Sequence, residues 1–363
     1  MDAGKYYALL RFEEAARALR AALKLNIVDE IGTREVSLSE FRELFGFTVQ
    51  GARTYAALLE VMEVISRKRD VISIPERARV CLLNDVPASR KPYLAMGSKD
   101  EADDQLIAML RGDFGSESIP LYGDDKTDKT VMDLPDVGEE IAVGLASRAR
   151  NFAEPLAAAI KPHSSKARIL ADIGAGSPYV VAAGLIAMPH LTKAVVVDRP
   201  NAMAFLRRLG EPISAELAKV EMCEQDFFQA VPPADIYVLS NTAHDWLPEE
   251  YAQIMTNIRD AIAPGGIVCI HEPLLAANWN SADEWVHALW MSCYALTLYC
   301  LTEGKGTCYS RKEHDWVLRE HGFSPIEEPT RTSDGCTALL YGLSGESSSG
   351  PERATMSQPR TTR

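Results

Sequence analysis

The chain lacks several features, and each absence narrows what it can be. Its 363 residues contain no apolar run long enough to cross a bilayer, so no membrane-spanning helix is expected. The first residues, Met1-Asp2-Ala3-Gly4-Lys5, have no basic stretch leading into an apolar one, so no signal peptide is expected. Cysteine is sparse and unpaired in pattern: Cys81, Cys223, Cys269, Cys293, Cys300, Cys308 and Cys336 are odd in number and form no CxxC motif. A disulfide framework or structural zinc site is therefore not expected, and a reducing cytoplasm is the expected compartment. Positive charge is also short: 38 Lys and Arg face 51 Asp and Glu, a net charge of −13. Broad attraction to nucleic acid or to an anionic membrane is not expected. No internal repeat is visible.

What remains is ordinary globular composition, 47% hydrophobic and 25% charged, in a chain long enough for two domains. Apolar residues return every three or four positions from Tyr6 to Ile31, which predicts a helix. A short helix follows over residues 37–45, capped by Ser37 or Ser39, and a longer one over Val49 to Val64. Two β-prone runs then flank Arg67-Lys68-Arg69-Asp70. Helix, turn, helix and small hairpin make a winged-helix pattern. The helix in the recognition position carries Arg53 as its only cation, beside two glutamates, whereas a groove-reading helix needs more donors and more positive charge. The unit is expected to serve dimerisation, its apolar first helix packing across a two-fold axis.

A helix is predicted over 92–111, an irregular stretch over 112–136 and a helix over 137–160. From residue 166 strands and helices alternate, with strands at 168–172, 193–198, 217–222, 235–240 and 266–272. Late helices are expected at 281–301 and 310–321, and closing strands at 324–329 and 337–343. That alternation predicts a doubly wound, mostly parallel α/β sheet of Rossmann-like type behind a mainly helical domain. The expected division is 1–105 for the winged helix, 106–344 for the sheet domain with its linker helices, and 345–363 for a tail rich in Ser, Pro, Thr and Arg.

The most informative stretch is Ile169-Leu170-Ala171-Asp172-Ile173-Gly174-Ala175-Gly176-Ser177-Pro178. Asp172 ends the first strand, where open α/β sheets bind ligands. Gly174 and Gly176 remove Cβ atoms, so backbone can approach a ligand closely. A dinucleotide fingerprint needs a third glycine opening the helix; here Pro178 intervenes, so a nucleoside without phosphate fits better. Asp198, ending the second strand, can accept both ribose hydroxyls. Asp226-Phe227 follows the third strand, an acid for an adenine amino group and an aromatic for its ring face. A fourth strand ends at Ser240 and leads to His244-Asp245-Trp246.

In this order these residues resemble the class I S-adenosylmethionine-dependent methyltransferases, and more narrowly the small-molecule O-methyltransferases with an N-terminal winged-helix dimerisation domain. Pro264-Gly265-Gly266 and Glu320-His321-Gly322-Phe323 also match, and the resemblance spans residues from about 8 to 343. It implies S-adenosylmethionine as cofactor, with Gly174 and Gly176 lining its methionine part, Asp198 on the ribose, Asp226 and Phe227 on the adenine, and Ser240 near the carboxylate and amine. It implies a homodimer and a small-molecule acceptor, and it gives His244 the place of the general base. Glu272, ending the fifth strand, matches the acid that orients that base. The second acid of the plant members is absent: Cys308 holds its position, and Glu303 is out of register.

Methyl transfer to a hydroxyl needs the acceptor aligned and its proton removed, which a neutral histidine suits. Asp245 could act or could cap the following helix. His287, Trp290, Met291 and Tyr294 share a helix face that could line the acceptor pocket, though such a stripe is more often a core pattern. His244, Asp245 and His287 could hold a metal, but their spacing does not demand one. C- or N-methylation, including that of a 2-oxo acid, and a ligand-sensing winged-helix regulator are the alternatives.

Overall fold

The computed structural model of the protein describes residues 11–84, 89–94, 101–123, 129–200, 219–276, 279–332 and 334–344. The N-terminal unit runs α1 (Phe12–Lys24), α2 (Ile27–Ile31), β1 (Val36–Ser37), α3 (Leu38–Phe45), α4 (Val49–Val61), β2 (Ser66–Lys68), β3 (Val71–Ser73), α5 (Glu76–Leu82), α6 (Lys91–Leu94) and α7 (Glu101–Leu110). The first predicted helix is broken, because Asn26 turns left-handed at φ 52° between α1 and α2. Its residues 6–10 lie outside the described ones, as do 95–100 of the helix predicted over 92–111. Ser37 is the cap of α3: its hydroxyl accepts from Glu40 N at 3.1 Å while the Glu40 carboxylate accepts from Ser37 N at 2.6 Å. The long helix stops at Val61, before Glu63 takes a φ of 57°. The wing gains a third strand: β3 pairs antiparallel with both β2 and β1, so Ile72 faces Arg67 on one side and Val36 on the other.

Helix α4 is a core element. Ten of its thirteen residues are buried, and its only cation, Arg53, is bonded to Glu313 and stands over the Tyr309 ring at 5.3 Å. A helix held this way has no free basic face for a nucleic-acid groove.

The second unit runs α8 (Pro135–Ile160), β4 (Ile169–Ile173), α9 (Tyr179–Ala187), β5 (Lys193–Asp198), β6 (Val220–Glu224), β7 (Ala234–Ser240), α10 (Pro248–Ala261), β8 (Ile262–Glu272), α11 (Ala282–Leu301), α12 (Arg311–Glu320), β9 (Phe323–Pro325), β10 (Thr330–Arg331) and β11 (Thr337–Leu343). The strand predicted over 217–222 is described from Val220, and the tail from 345 lies outside the described residues. The closing strand predicted at 324–329 is two short pieces, β9 and β10, both pairing with β11. Strand β8 starts at Ile262, earlier than expected. Ala234 pairs with Ile262 and Ile236 with Ile267, so residues 263–266 bulge out, with Gly265 at φ 74°.

The sheet order is β10-β11-β8-β7-β4-β5-β6. The pairs β4·β5, β4·β7, β5·β6 and β7·β8 are parallel, and β11 is antiparallel to β8. Period-two alternation divides the strand residues between two faces. Leu170, Val196, Val238 and Cys269 pack with α8 and α9; Ala171, Val197, Leu239 and Ile270 pack with α10 and α12. This is the doubly wound α/β sheet the sequence predicts, and it brings the C-terminal ends of β4, β5, β7 and β8 to one edge.

Helix α11 joins the units. Ala288, Leu289, Cys293, Leu296 and Tyr299 sit in the N-terminal core together with Leu106, Ile107 and Leu110 of α7. Trp285 Nε1 donates to Val61 O at 2.8 Å, and the Tyr299 hydroxyl donates to Met109 O at 2.8 Å. A Cβ on Gly51 would lie 2.6 Å from Leu110 O and 2.9 Å from the Tyr299 hydroxyl, so only glycine lets α4 approach this closely. Among the described residues no helix is long and apolar enough to cross a membrane.

Candidate active site

The sheet edge opens on a cavity of about 740 Å³. Its floor is the turn after β4. Gly174 and Gly176 both have positive φ, 66° and 56°, where a side chain is strained. A Cβ on Gly174 would lie 2.8 Å from Thr242 Cγ2, whereas one on Gly176 would meet only Leu145 at 3.9 Å. Asp198 closes the turn: its Oδ2 accepts from Gly176 N at 3.0 Å and its Oδ1 from Arg199 N at 2.8 Å. A carboxylate has about four acceptor positions, so capacity remains for ribose hydroxyls on the cavity side. Burial raises the Asp198 pKa, and the two backbone donors oppose that rise.

Asp172 lies behind this turn, buried and off the cavity wall, with neither carboxylate oxygen bonded among the described residues. Burial, then the nearby Asp198 charge, push its pKa well above the ordinary value. Asp226 Oδ1 accepts from Phe228 N at 2.9 Å, while its buried Oδ2 has no partner among the described residues. Phe227 lines the cavity and Asp226 stands beside it. Orphaned buried acceptors cost about 1–3 kcal/mol each, and they belong where a ligand completes them. The two-glycine cradle, Asp198 on the wall and the orphaned Asp226 oxygen beside Phe227 fit the S-adenosylmethionine that the family resemblance implies.

At the other end stands His244, buried on a single 3₁₀ turn, Ala243–Asp245. Its Nδ1 donates to Glu272 Oε2 at 2.5 Å, and Glu272 Oε1 accepts from Thr242 N at 2.8 Å and Ala243 N at 2.7 Å. Burial opposes protonation of His244, but the Glu272 and Asp245 carboxylates prevail, so its pKa is raised. Burial likewise works to raise Glu272, but the imidazole and its hydrogen bonds hold its pKa below the ordinary value. Because a carboxylate only accepts, the proton sits on Nδ1 and the lone pair on Nε2.

Asp245 lines the cavity, with Oδ1 3.5 Å from His244 Nε2. Burial pushes its pKa up to about 7. It does not cap the next helix: the Glu250 carboxylate takes Leu247 N at 2.9 Å. Trp246 lines the cavity and also packs edge-on against Phe227 and Phe228.

Of the predicted pocket stripe, Tyr294 lines the cavity, its ring edge-on to His244 at 5.7 Å. The other three stand apart from the described cavity wall. Met291 is buried, its carbonyl accepting from Cys308 Sγ at 3.6 Å. His287 packs against Trp290 at 5.7 Å, with burial lowering its pKa to about 4, and so does not join His244 and Asp245. Trp290 leaves no room for a Cβ on Gly335, which would come within 2.3 Å of its ring. Cys308 is a buried thiol whose pKa burial raises well above the ordinary value, so it is no substitute for the missing acid.

Several wall residues carry no motif. Arg148 and Phe152 come from α8, Tyr122 from the segment expected to be irregular, and Asn241 from a left-handed residue at φ 55°. Helical spacing alone could have placed Arg148 and Phe152 on one face; nothing in the sequence marks Tyr122. One buried cluster of metal-ligand type, His271, Asp334 and Cys336, lies at the end of β8. Arg148 already provides its positive charge: Nε lies 3.3 Å from Asp334 Oδ2, and Nη2 donates to Cys336 Sγ at 3.0 Å.

A family model described as an O-methyltransferase domain matches residues 129–324. The 3-O-methylredipecamine 2-O-methyltransferase of Carapichea ipecacuanha is 25% identical over 350 residues, covering 89% of this chain and 90% of that protein. Acetylserotonin O-methyltransferase of Mus musculus is 30% identical over 163 residues, 44% of this chain and 40% of that protein. The fold is similar to that of an O-methyltransferase family 2 protein from Planctomyces limnophilus in complex with apigenin, at TM-score 0.80 and 22% identity, covering 94% of this chain and 96% of that one.

Proposed function

The chain belongs to the O-methyltransferase family and is S-adenosylmethionine-dependent, and from that premise we propose that it methylates a hydroxyl of a small aromatic metabolite, with His244 as general base. The observation that carries the reading is His244 on the cavity wall, held at 2.5 Å by the buried Glu272 behind it. When bound, S-adenosylmethionine supplies an electrophilic methyl group on a sulfonium.

The chain's own residues do the rest. Glu272, fixed by two backbone N–H groups, holds the His244 tautomer with Nε2 unprotonated. Nε2 takes the acceptor's hydroxyl proton as the oxygen attacks, and a phenol is acidic enough for that transfer. Asp198, with Asp226 beside Phe227, holds the nucleoside, while Gly174, Gly176 and Ser240 face the methionine part. Phe152, Trp246 and Tyr294 give the cavity an aromatic wall, and about 740 Å³ holds a nucleoside with one modest ring system. The relatives that act on 3-O-methylredipecamine and acetylserotonin, and the apigenin held by the structural neighbour, favour such acceptors.

The same proposal includes a homodimer through residues 1–105, a methyltransferase unit over 106–344 with a tail beyond it, and a reducing cytoplasm. The seven free cysteines support the last. The test is a mass-spectrometric screen of phenolic acceptors with labelled S-adenosylmethionine, alongside light scattering for the dimer. Transfer to carbon or nitrogen acceptors only would overturn the hydroxyl reading.

A further inference from the structure

Behind the cofactor end of the cavity lies a closed ring of buried and half-buried polar side chains. Asp334 stands in the loop between β10 and β11 and is buried. One arm runs from its Oδ2 to Arg148 Nε at 3.3 Å, and Arg148 lines the cavity. The other arm runs from its Oδ1, which accepts from the Thr332 hydroxyl at 2.6 Å. The Thr332 oxygen in turn accepts from His271 Nε2 at 2.8 Å. His271 Nδ1 lies 2.9 Å from Ser240 Oγ. Arg148 Nη2 donates to Cys336 Sγ, and Cys336 Sγ meets Asn241 Oδ1 at 3.5 Å, which brings the ring back beside Ser240.

The chain of donors fixes each proton. Asp334 is ionised: burial works against it, but His271 and Arg148 hold its carboxyl well below the usual range. An ionised carboxylate accepts the Thr332 proton, so Thr332 can only accept from His271 Nε2–H. In the neutral imidazole Nδ1 is then the acceptor, and Ser240 donates to it. The Ser240 oxygen accepts from Asn241 Nδ2 at 3.3 Å and keeps one further lone pair, on the cavity wall with the Arg148 guanidinium. An acceptor and a guanidinium side by side match an ammonium and a carboxylate on one carbon.

We propose that Asp334 is a positioning residue for the amino-acid end of S-adenosylmethionine, holding Arg148 through one carboxylate oxygen and Ser240, by way of Thr332 and His271, through the other. The inference rests on the S-adenosylmethionine reading of the site. Gly335, at φ 86° and hard against Trp290, fixes the loop that carries it, and the Phe152 ring covers His271 at 4.4 Å.

Calorimetric titration of the full chain with two ligands tests it: S-adenosylhomocysteine, which has the amino-acid end, and 5′-methylthioadenosine, which lacks it. Asp334→Asn is expected to weaken S-adenosylhomocysteine about tenfold and to leave 5′-methylthioadenosine within about twofold. Thr332→Val, which removes the hydroxyl between Asp334 and His271 while leaving their direct 3.6 Å contact and the Arg148 ion pair, is expected to give a selective loss of about threefold, and it carries the test should Asp334→Asn fail to fold. Equal weakening of both ligands, or no change for S-adenosylhomocysteine, overturns the positioning role. A wild-type chain that binds neither ligand overturns the S-adenosylmethionine reading itself, and this role with it.

Discussion

Two histidines at one sheet edge are each tied to a carboxylate, His244 to Glu272 directly and His271 to Asp334 through Thr332, and they differ in whether a ring nitrogen is left over. His271 and Glu272 are neighbours on β8, and strand alternation sends them to opposite faces. Glu272 reaches His244, whose Nδ1 is spent on the carboxylate while the imidazole lines the cavity. His271 is bonded at both nitrogens, to Ser240 and Thr332, and is fully buried off the cavity wall. The first pair can exchange a proton with an acceptor; the second can only hold its neighbours in register. The same residue types thus serve chemistry or positioning according to whether one nitrogen is left over.

The comparison breaks first at His244. His244→Asn is expected to lower kcat by about 10³-fold, within the range for general acid–base catalysis, with S-adenosylhomocysteine affinity unchanged in calorimetry. Turnover surviving within a few-fold would sink the base assignment. Glu272→Gln is expected to lower kcat by roughly 10²-fold. It also has a direction in pH. The base works unprotonated, so kcat/KM rises as pH passes the His244 pKa, which Glu272 raises. Without that carboxylate the acid limb moves to lower pH; an unmoved limb would show that His244 does not govern it.

Smaller effects separate the two arms. Gly174→Ala combines left-handed strain with a push on Thr242, whose N–H holds Glu272, so it should cost about 1–2 kcal/mol in urea unfolding and lower kcat as well. Gly176→Ala carries the left-handed strain but meets only Leu145 at 3.9 Å, so it should cost about 1 kcal/mol, showing mainly in cofactor affinity. Equal effects at the two glycines would deny the Thr242 link. Least of all, Cys308→Ala should leave kcat within about threefold, since a buried thiol of raised pKa supplies no base.

Much of this was legible in the chain. The runs ending in Asp172, Asp198, Ser240 and Glu272 are apolar and short, and parallel strands bring such ends to one edge. The acceptor-side histidine follows the fourth strand by a few residues, so its neighbourhood was local. Other features were hidden by distance. Arg148 and Asp334 are 186 positions apart and Arg53 and Glu313 260 apart, and neither pair has a motif. The stripe His287, Trp290, Met291 and Tyr294 read as one face, yet α11 is clasped between two bodies. Its Cys293 and Tyr299 enter the N-terminal core, while Tyr294, Thr297 and Leu298 turn to the cavity.

The sequence by itself determined the strand order of chemistry: a glycine turn, then acids for a nucleoside, then a histidine and its acid. Hydrophobic period and turn residues are local, so they can be read one segment at a time. Only the tertiary structure decided which histidine faces the cavity and which is locked behind it. That choice depends on which residues of β7, β10, β11 and α8 arrive beside β8, and burial in three dimensions is not written in any one of them.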